Sequence, residues 1–288
     1  MVNQKSYIIR LFFATLAMFV AFPSFAIDPE SEEDPYFILV GEAEKAIAEE
    51  RYDEAAARLI DALAVEPGNP GNLLVKTNLA MVYSALERDS LAIATLDDVI
   101  SKAPNMTVAL NTRGKLKLKA GNKDDAFEDF SRSIKVDSLN VEARYFRGII
   151  NLYGGFLKDA EKDFDILKTK YENDIRTSVA LSALYSMTGR NREAIPHLKK
   201  LIKSEPAPEY YASLAGCYLA EQDLSEASST IAEGLRLYSE DPELYYYRAW
   251  LNRDRFRLDD AHRDAKLAVK FGASHEKVKA LFEKKNSK

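Results

Sequence analysis

The chain has 288 residues, with 45 Asp and Glu against 40 Lys and Arg, three His and one Cys. At about 100–200 residues per domain, that length allows one or two globular domains or one array of repeats, and no disulfide is needed to bury a core. A net charge of −5 gives no drive toward nucleic acid or anionic lipid, one Cys excludes an internal disulfide or a multi-Cys zinc site, and three His leave little for acid–base or metal chemistry.

The first element is an address. Lys5 and Arg10 precede an unbroken apolar run from Leu11 to Phe22, Pro23 ends it, and Ser24 and Ala26 stand at −3 and −1 of a cut before Ile27. That layout predicts a secretory signal peptide over 1–26, cleaved after Ala26. The run falls short of the roughly 20 apolar residues of a membrane span, so no stable membrane insertion is expected after cleavage. The leader holds two positive charges, so the remaining chain carries 38 Lys and Arg against 45 Asp and Glu, a net of −7. Residues 27–35 (IDPESEEDP) read as an acidic flexible leader.

From residue 36 the chain resembles itself. The alanines Ala55, Ala92, Ala126, Ala160, Ala194, Ala227 and Ala261 follow one another at 37, 34, 34, 34, 33 and 34 residues. Twelve residues before each stands a small residue: Ala43, Ala80, Gly114, Gly148, Ser182, Ala215 and Ala249. Four after each stands a hydrophobe: Leu59, Leu96, Phe130, Phe164, Leu198, Ile231 and, more weakly, Ala265. Each unit reads as two amphipathic helices, with turns at Gly121, Gly154–Gly155 and Gly189. Small residues let the two helices approach, and large ones fill the space around them. One unit cannot cover its own apolar face, so neighbours must stack. The units span about 36–69, 73–106, 107–140, 141–174, 175–207, 208–241 and 242–275, with Pro70-Gly71-Asn72 lengthening the first junction. Residues 276–288 continue as a short amphipathic helix, with Val278, Leu281 and Phe282 on one face, and cap the open end.

A 34-residue period carrying Leu-small…Tyr (Leu79-Ala80…Tyr83, Leu181-Ser182…Tyr185, Leu214-Ala215…Tyr218), then Ala…Phe (Ala126…Phe130, Ala160…Phe164), then Pro67, Pro104 and Pro206, resembles the tetratricopeptide repeat (TPR) family. The resemblance implies an all-α fold, a right-handed α-solenoid of seven helix-turn-helix repeats with a C-terminal capping helix. It also implies that the first helices line a concave groove through the second, fifth, ninth, twelfth and thirteenth residues of each repeat. In this sequence those positions direct attention to Asn111 and Lys115, Tyr145 and Tyr153, and Tyr246, Trp250 and Arg253 as partner-binding residues, because aromatic and Arg side chains anchor protein contacts. The family's carboxylate clamp is absent. Asn78 fits one of its places, but Val40 and Glu44 replace its first Lys and Asn, and Val108 and Thr112 replace its last Lys and Arg.

The seventh residue of a repeat and the twenty-third fall on facing helices. Arg113 stands against Asp129, Arg147 against Asp163 and Arg248 against Asp264, and the signs invert at Glu42 and Arg58. Where the seventh residue is Leu79, Leu181 or Leu214, the twenty-third is Thr95, His197 or Thr230. The pattern predicts interhelical salt bridges in four repeats, of ~0–1 kcal/mol each if half exposed. They are structural pairs rather than a grip on an acidic ligand.

No catalytic constellation emerges. His197, His262 and His275 lie apart without metal-ligand spacing, no nucleophile elbow or phosphate loop exists, and Cys217 beside Gly216 reads as a buried inert thiol. Catalytic residues, metal and cofactor are therefore not expected. The expectation is a secreted, periplasmic, non-catalytic TPR scaffold that binds a protein or peptide partner in its groove, without nucleic acid. The alternative is a structural spacer in an envelope assembly that makes contacts by its edges or ends. A third reading is an enzyme-associated sugar-binding module.

Overall fold

The computed structural model describes residues 34–283; the signal-peptide segment, residues 27–33 of the leader and Lys284, Lys285 and Lys288 lie outside the described residues. Among the described residues there are fifteen α-helices and no strand. The chain divides into two compact units at Gly154 and Gly155. The first contains α1 (Pro35–Ala48), α2 (Tyr52–Val65), α3 (Asn72–Ala85), α4 (Asp89–Lys102), α5 (Thr107–Lys119), α6 (Lys123–Val136) and α7 (Val141–Tyr153). The second contains α8 (Leu157–Lys170), α9 (Ile175–Met187), α10 (Asn191–Ser204), α11 (Pro208–Ala220), α12 (Leu224–Leu237), α13 (Pro242–Asp254), α14 (Leu258–Lys270) and α15 (His275–Ala280). In each unit every helix packs on its neighbours in sequence, and α3 also meets α5, α5 meets α7, and α11 meets α13.

One turn recurs. The second residue past the helix has positive φ: Glu50, Glu87 and Gly121 in the first unit, and Gly189, Gln222 and Phe256 in the second. At the first of these turns the Arg51 N–H donates to Ala46 O at 2.8 Å and the Glu50 N–H to Ile47 O at 3.0 Å. That pair of bonds satisfies two helix-end carbonyls and reverses the chain in three residues, so the next helix runs back antiparallel. The same long bond joins Arg88 to Tyr83, Asn122 to Lys117, Arg190 to Tyr185, Asp223 to Tyr218 and Arg257 to Asn252. Glycine takes the left-handed conformation freely; Glu, Gln and Phe occupy it at a strain of about 1 kcal/mol.

All seven spaced alanines are fully buried, as are Leu59, Leu96, Phe130 and Phe164. The requirement for a small partner is explicit at Gly114. A Cβ there would stand 2.9 Å from two atoms of the Phe130 ring. The ring four residues beyond the alanine therefore fills the space opened by the small residue on the preceding helix.

Two boundaries differ from the sequence expectation. The leader was expected to run through residue 35, but Asp34 and Pro35 start α1: the Asp34 carboxylate accepts the Tyr36 N–H at 2.8 Å, and Pro35 takes the first helical position, where no N–H is needed. The cap begins at His275 rather than 276, because the Ser274 hydroxyl accepts the Lys277 N–H.

Gly114→Ala should therefore destabilise the fold by about 1–3 kcal/mol through overpacking. Gly41→Ala, within α1 and with no neighbour within 4 Å, should instead stabilise it by ~0.5–1 kcal/mol. Urea denaturation of the two variants tests the contrast, and equal midpoints would contradict it.

Candidate partner-binding surface

The first helix of each pair carries the candidate residues. On α5, the Asn111 Nδ2 donates to Asn140 Oδ1 at 3.0 Å, and Asn140 Oδ1 also caps α7 by accepting the Ala143 N–H at 2.9 Å. One turn further along α5, the Lys115 ammonium pairs with the Glu142 carboxylate of α7 at 2.7 Å. Another turn on, Lys119 pairs with Asp89 at 2.8 Å, and Asp89 also accepts the Ser84 hydroxyl at 3.0 Å. Asn111 and Lys115 thus tie α5 to α7 through polar groups at fixed positions.

The tie orients Asn111. Its amide nitrogen is engaged, and its Oδ1 is buried without a hydrogen-bond partner among the described residues; the same holds for Asn78 Oδ1 on α3, the neighbour of α5. Asn78 is 2% and Asn111 3% exposed. Buried carbonyl oxygens are rarely left unpaired, because each lost bond costs about 1–3 kcal/mol.

Tyr145 corrects the sequence reading. It is 1% exposed and packs edge-on against Phe146, 5.0 Å between ring centroids, while Phe146 stacks on Phe130 at 5.2 Å. It is a core ring, not an exposed anchor. The periodic stripe that places a residue on the groove side also passes beneath the neighbouring helix, and Tyr145 lies at that depth. Tyr153 is half-buried at the end of α7.

In the second unit Tyr246, Trp250 and Arg253 lie together on α13. The rings of Tyr246 and Tyr247 meet edge-on at 5.3 Å, Tyr247 stacks on Trp250 at 6.2 Å, and the Arg253 guanidinium lies 5.7 Å from the Trp250 ring. Trp250 Nε1 donates to Asp254 at 2.8 Å, and Arg253 donates to Asp254 and to the Leu281 carbonyl at 2.7 Å. Burial, then the nearby Glu243 carboxylate, raises the Tyr246 phenol above its ordinary pKa.

The Arg–Asp pairs are built more deeply than a half-exposed bridge. Arg113 forks onto Asp129 at 2.9 and 2.6 Å and reaches Asp97 at 2.6 Å, and Lys117 adds a contact to Asp129 at 3.0 Å. Asp129 is 1% exposed. In the second unit Arg248 and Asn252 both donate to Asp264, at 2.6 and 2.8 Å. Glu42 and Arg58 meet at 3.0 Å in an exposed pair. Arg147 belongs to α7 of the first unit and Asp163 to α8 of the second. Sequence reading missed the second donor, four residues after the arginine. Its signal was present: that position holds Lys117, Asn151 and Asn252 where the seventh residue is Arg, and Tyr83, Tyr185 and Tyr218 where it is Leu.

Cys217 is buried, its thiol 3.6 Å from the Ser186 hydroxyl and pushed above its ordinary pKa by burial. Among the described residues no three His, Cys, Asp or Glu gather as metal ligands, and no helix is long and apolar enough to cross a membrane.

Two family models described as tetratricopeptide repeat match residues 46–116 and residues 111–175 and 184–242, together more than half of the chain. Human DnaJ homolog subfamily C member 3 is 27% identical over 197 residues, 67% of this chain and 35% of that protein, so the chain spans about a third of the length of that curated relative. A tetratricopeptide repeat protein from Parabacteroides merdae superposes with a TM-score of 0.61 at 23% identity, covering 86% of this chain and 97% of that one. YrrB, a TPR protein with an unusual peptide-binding site, superposes with a TM-score of 0.54 at 15% identity, over 64% of this chain and 96% of that one.

Arg113→Ala should destabilise the fold by about 1.5–3 kcal/mol, with Lys117 partly covering Asp129, whereas Glu42→Ala should change stability by less than about 1 kcal/mol; chemical denaturation separates the two. Burial, then Lys200 and Lys168, lowers the pKa of His197. A depressed folded-state value means that its contribution is full above the unfolded value of about 6.5 and lost as pH falls through the folded value. His197→Gln should therefore shrink the fall in Tm between about pH 7.5 and pH 5; an unchanged fall would exclude His197 as a contributor.

Proposed function

Because the chain belongs to the tetratricopeptide repeat family, whose repeats serve as protein-interaction scaffolds, we propose that it is a non-catalytic periplasmic adaptor, secreted with cleavage after Ala26, that holds an extended segment of a partner protein against α3 and α5. The tetratricopeptide repeats carry this reading. An extended peptide brings main-chain N–H donors at regular intervals, and the unpaired oxygens of Asn78 and Asn111, closed from solvent in the unliganded chain, accept them by turning toward the ligand. Lys115 and Lys119 are neutralised by Glu142 and Asp89, so the surface does not select a strongly acidic partner. The likeness to YrrB, itself a peptide binder, supports the same class of ligand.

The spacer reading has one observation of its own. Phe256 holds a left-handed backbone at φ 59° and is 90% exposed on the turn before α14, beside exposed Leu258. A strained, solvent-facing aromatic of this kind suits a contact made at an edge.

Crosslinking in intact cells followed by mass spectrometry distinguishes the two. An Asn78→Ala, Asn111→Ala chain should fold with unchanged helical circular dichroism and recover at most a tenth of the partner, while Phe256→Asp should recover it fully. The reverse result would assign the contact to the edge. N-terminal sequencing of the envelope fraction should begin at Ile27; an intact Met1 there would refute cleavage.

A further inference from the structure

The last first-helix of the array, α13, has a face unlike the others. Glu243, Tyr246, Tyr247, Trp250 and Arg253 recur at three- and four-residue steps and so share one stripe of the helix. All five are only partly buried. Tyr247 lies against Gly216 of α11, and the Glu243–Tyr246 end of the face meets α15, six residues long.

The contacts of α15 are those of a docked ligand. The Lys277 ammonium lies 4.2 Å from the centre of the Tyr246 ring and 5.7 Å from that of Tyr247, and it pairs with the Glu243 carboxylate. A cation over two aromatic faces with a carboxylate behind it is a complete seat for one ammonium group. Val278 and Leu281 are buried against Ala249, Ala265 and Ala268, and Phe282 stacks on His262 at 4.4 Å. The Arg253 guanidinium closes the far end on the Leu281 carbonyl. Room for these apolar side chains exists because Ala265 occupies the place that Leu, Ile or Phe fills in the other repeats. The connection to α14 is a short loop through Gly272, at φ 112°, Ala273 and Ser274.

We propose that this face of α13 and α14 is a receptor for a short amphipathic helix that carries a lysine followed by apolar residues at +1, +4 and +5, and that α15 is the chain's own occupant, displaced when a partner helix of that pattern binds. The inference rests on the scaffold reading above and assigns the second unit its own class of ligand, a helix rather than an extended segment. A tether of a few residues holds α15 at a high effective concentration, so the seat is masked from weak competitors and opens only to a longer or better-matched helix that also covers the half-exposed Tyr247 and Trp250. The stripe recognises its ligand by side chains at helical spacing, not by main-chain pairing.

The test uses the full chain and a fluorescein-labelled peptide of residues 273–283, followed by fluorescence anisotropy. The probe should bind the Lys277→Gln, Leu281→Ser chain at least tenfold more tightly than the unaltered chain, because release of α15 empties the seat. A probe carrying Lys277→Gln should bind the released chain at least fivefold more weakly, and Tyr246→Ala in the released chain should remove binding. Equal affinity for the released and unaltered chains, or no binding to a released chain that keeps its helical circular dichroism, would overturn the proposal. Loss of helical signal on release would also overturn it, since α15 would then be a structural cap; Lys277→Gln alone, which leaves the apolar contacts in place, gives the same comparison at smaller amplitude. Because the probe is a pure peptide, failure here leaves the crosslinking result at Asn78 and Asn111 standing, and the converse also holds.

Discussion

The whole structure depends on how closely paired helices approach. At Gly114 the space for a single methyl group is already taken by the Phe130 ring. Seven fully buried alanines hold the opposite side of that approach to the same dimension. An interior packed to crystal-like density leaves no slack for a larger residue on either side, and the three-residue turn between paired helices brings them together antiparallel through a tight reversal. The left-handed residue at each turn follows from that reversal. So does its chemical indifference: Gly, Glu, Gln and Phe all serve, because the backbone bonds behind it, such as Arg51 to Ala46, are the same.

With the spacing set, the facing surfaces have two interior solutions. In one, Leu at the seventh position and Tyr four residues on are both buried, and neither brings a charge inside. In the other, an arginine and a second polar donor converge on one buried carboxylate, as Arg113 and Lys117 do on Asp129, and Arg248 and Asn252 on Asp264. A carboxylate taken out of water is tolerable only when its lone pairs are filled, so the second donor is a condition of burial rather than an ornament. The exposed Glu42–Arg58 pair needs no such helper and has none four residues on, where Ala46 stands. The arginines are thereby committed to the fold and not available to a ligand.

Legibility in the sequence tracks these constraints. The helix pairs were readable because a size limit repeated seven times leaves a small residue at each repeat, whatever else changes. The Arg113–Asp129 and Arg248–Asp264 registers were readable because a buried charge needs its opposite at a fixed offset. Depth was not readable. Tyr145 and Tyr246 occupy the same fifth position of their repeats, yet one is core and the other half-exposed, because a helix stripe records direction and not how much of the next helix lies above it. The partner of Lys115 lay 27 residues on in Glu142, a separation at which sequence offers no periodic signal for a single ion pair.

The last repeat shows how the same rules produce a different surface. In the first unit the ninth-position Lys115 reaches forward to Glu142 of the next repeat, and the two charges cancel within the stack. After α14 there is no full following repeat among the described residues, only α15, and the sense of the contact is inverted: the carboxylate of Glu243 waits on α13, and the cation arrives on the incoming helix. Replacement of the usual large hydrophobe by Ala265 deepens the same place, while Tyr246, Tyr247 and Trp250 supply the faces that a stacked repeat would otherwise cover. A terminus that only needed to be capped would be served by a polar outer face. An aromatic stripe with a carboxylate at one end, a guanidinium at the other and a recess between them is instead a surface with directional demands, which an amphipathic helix of one polarity satisfies.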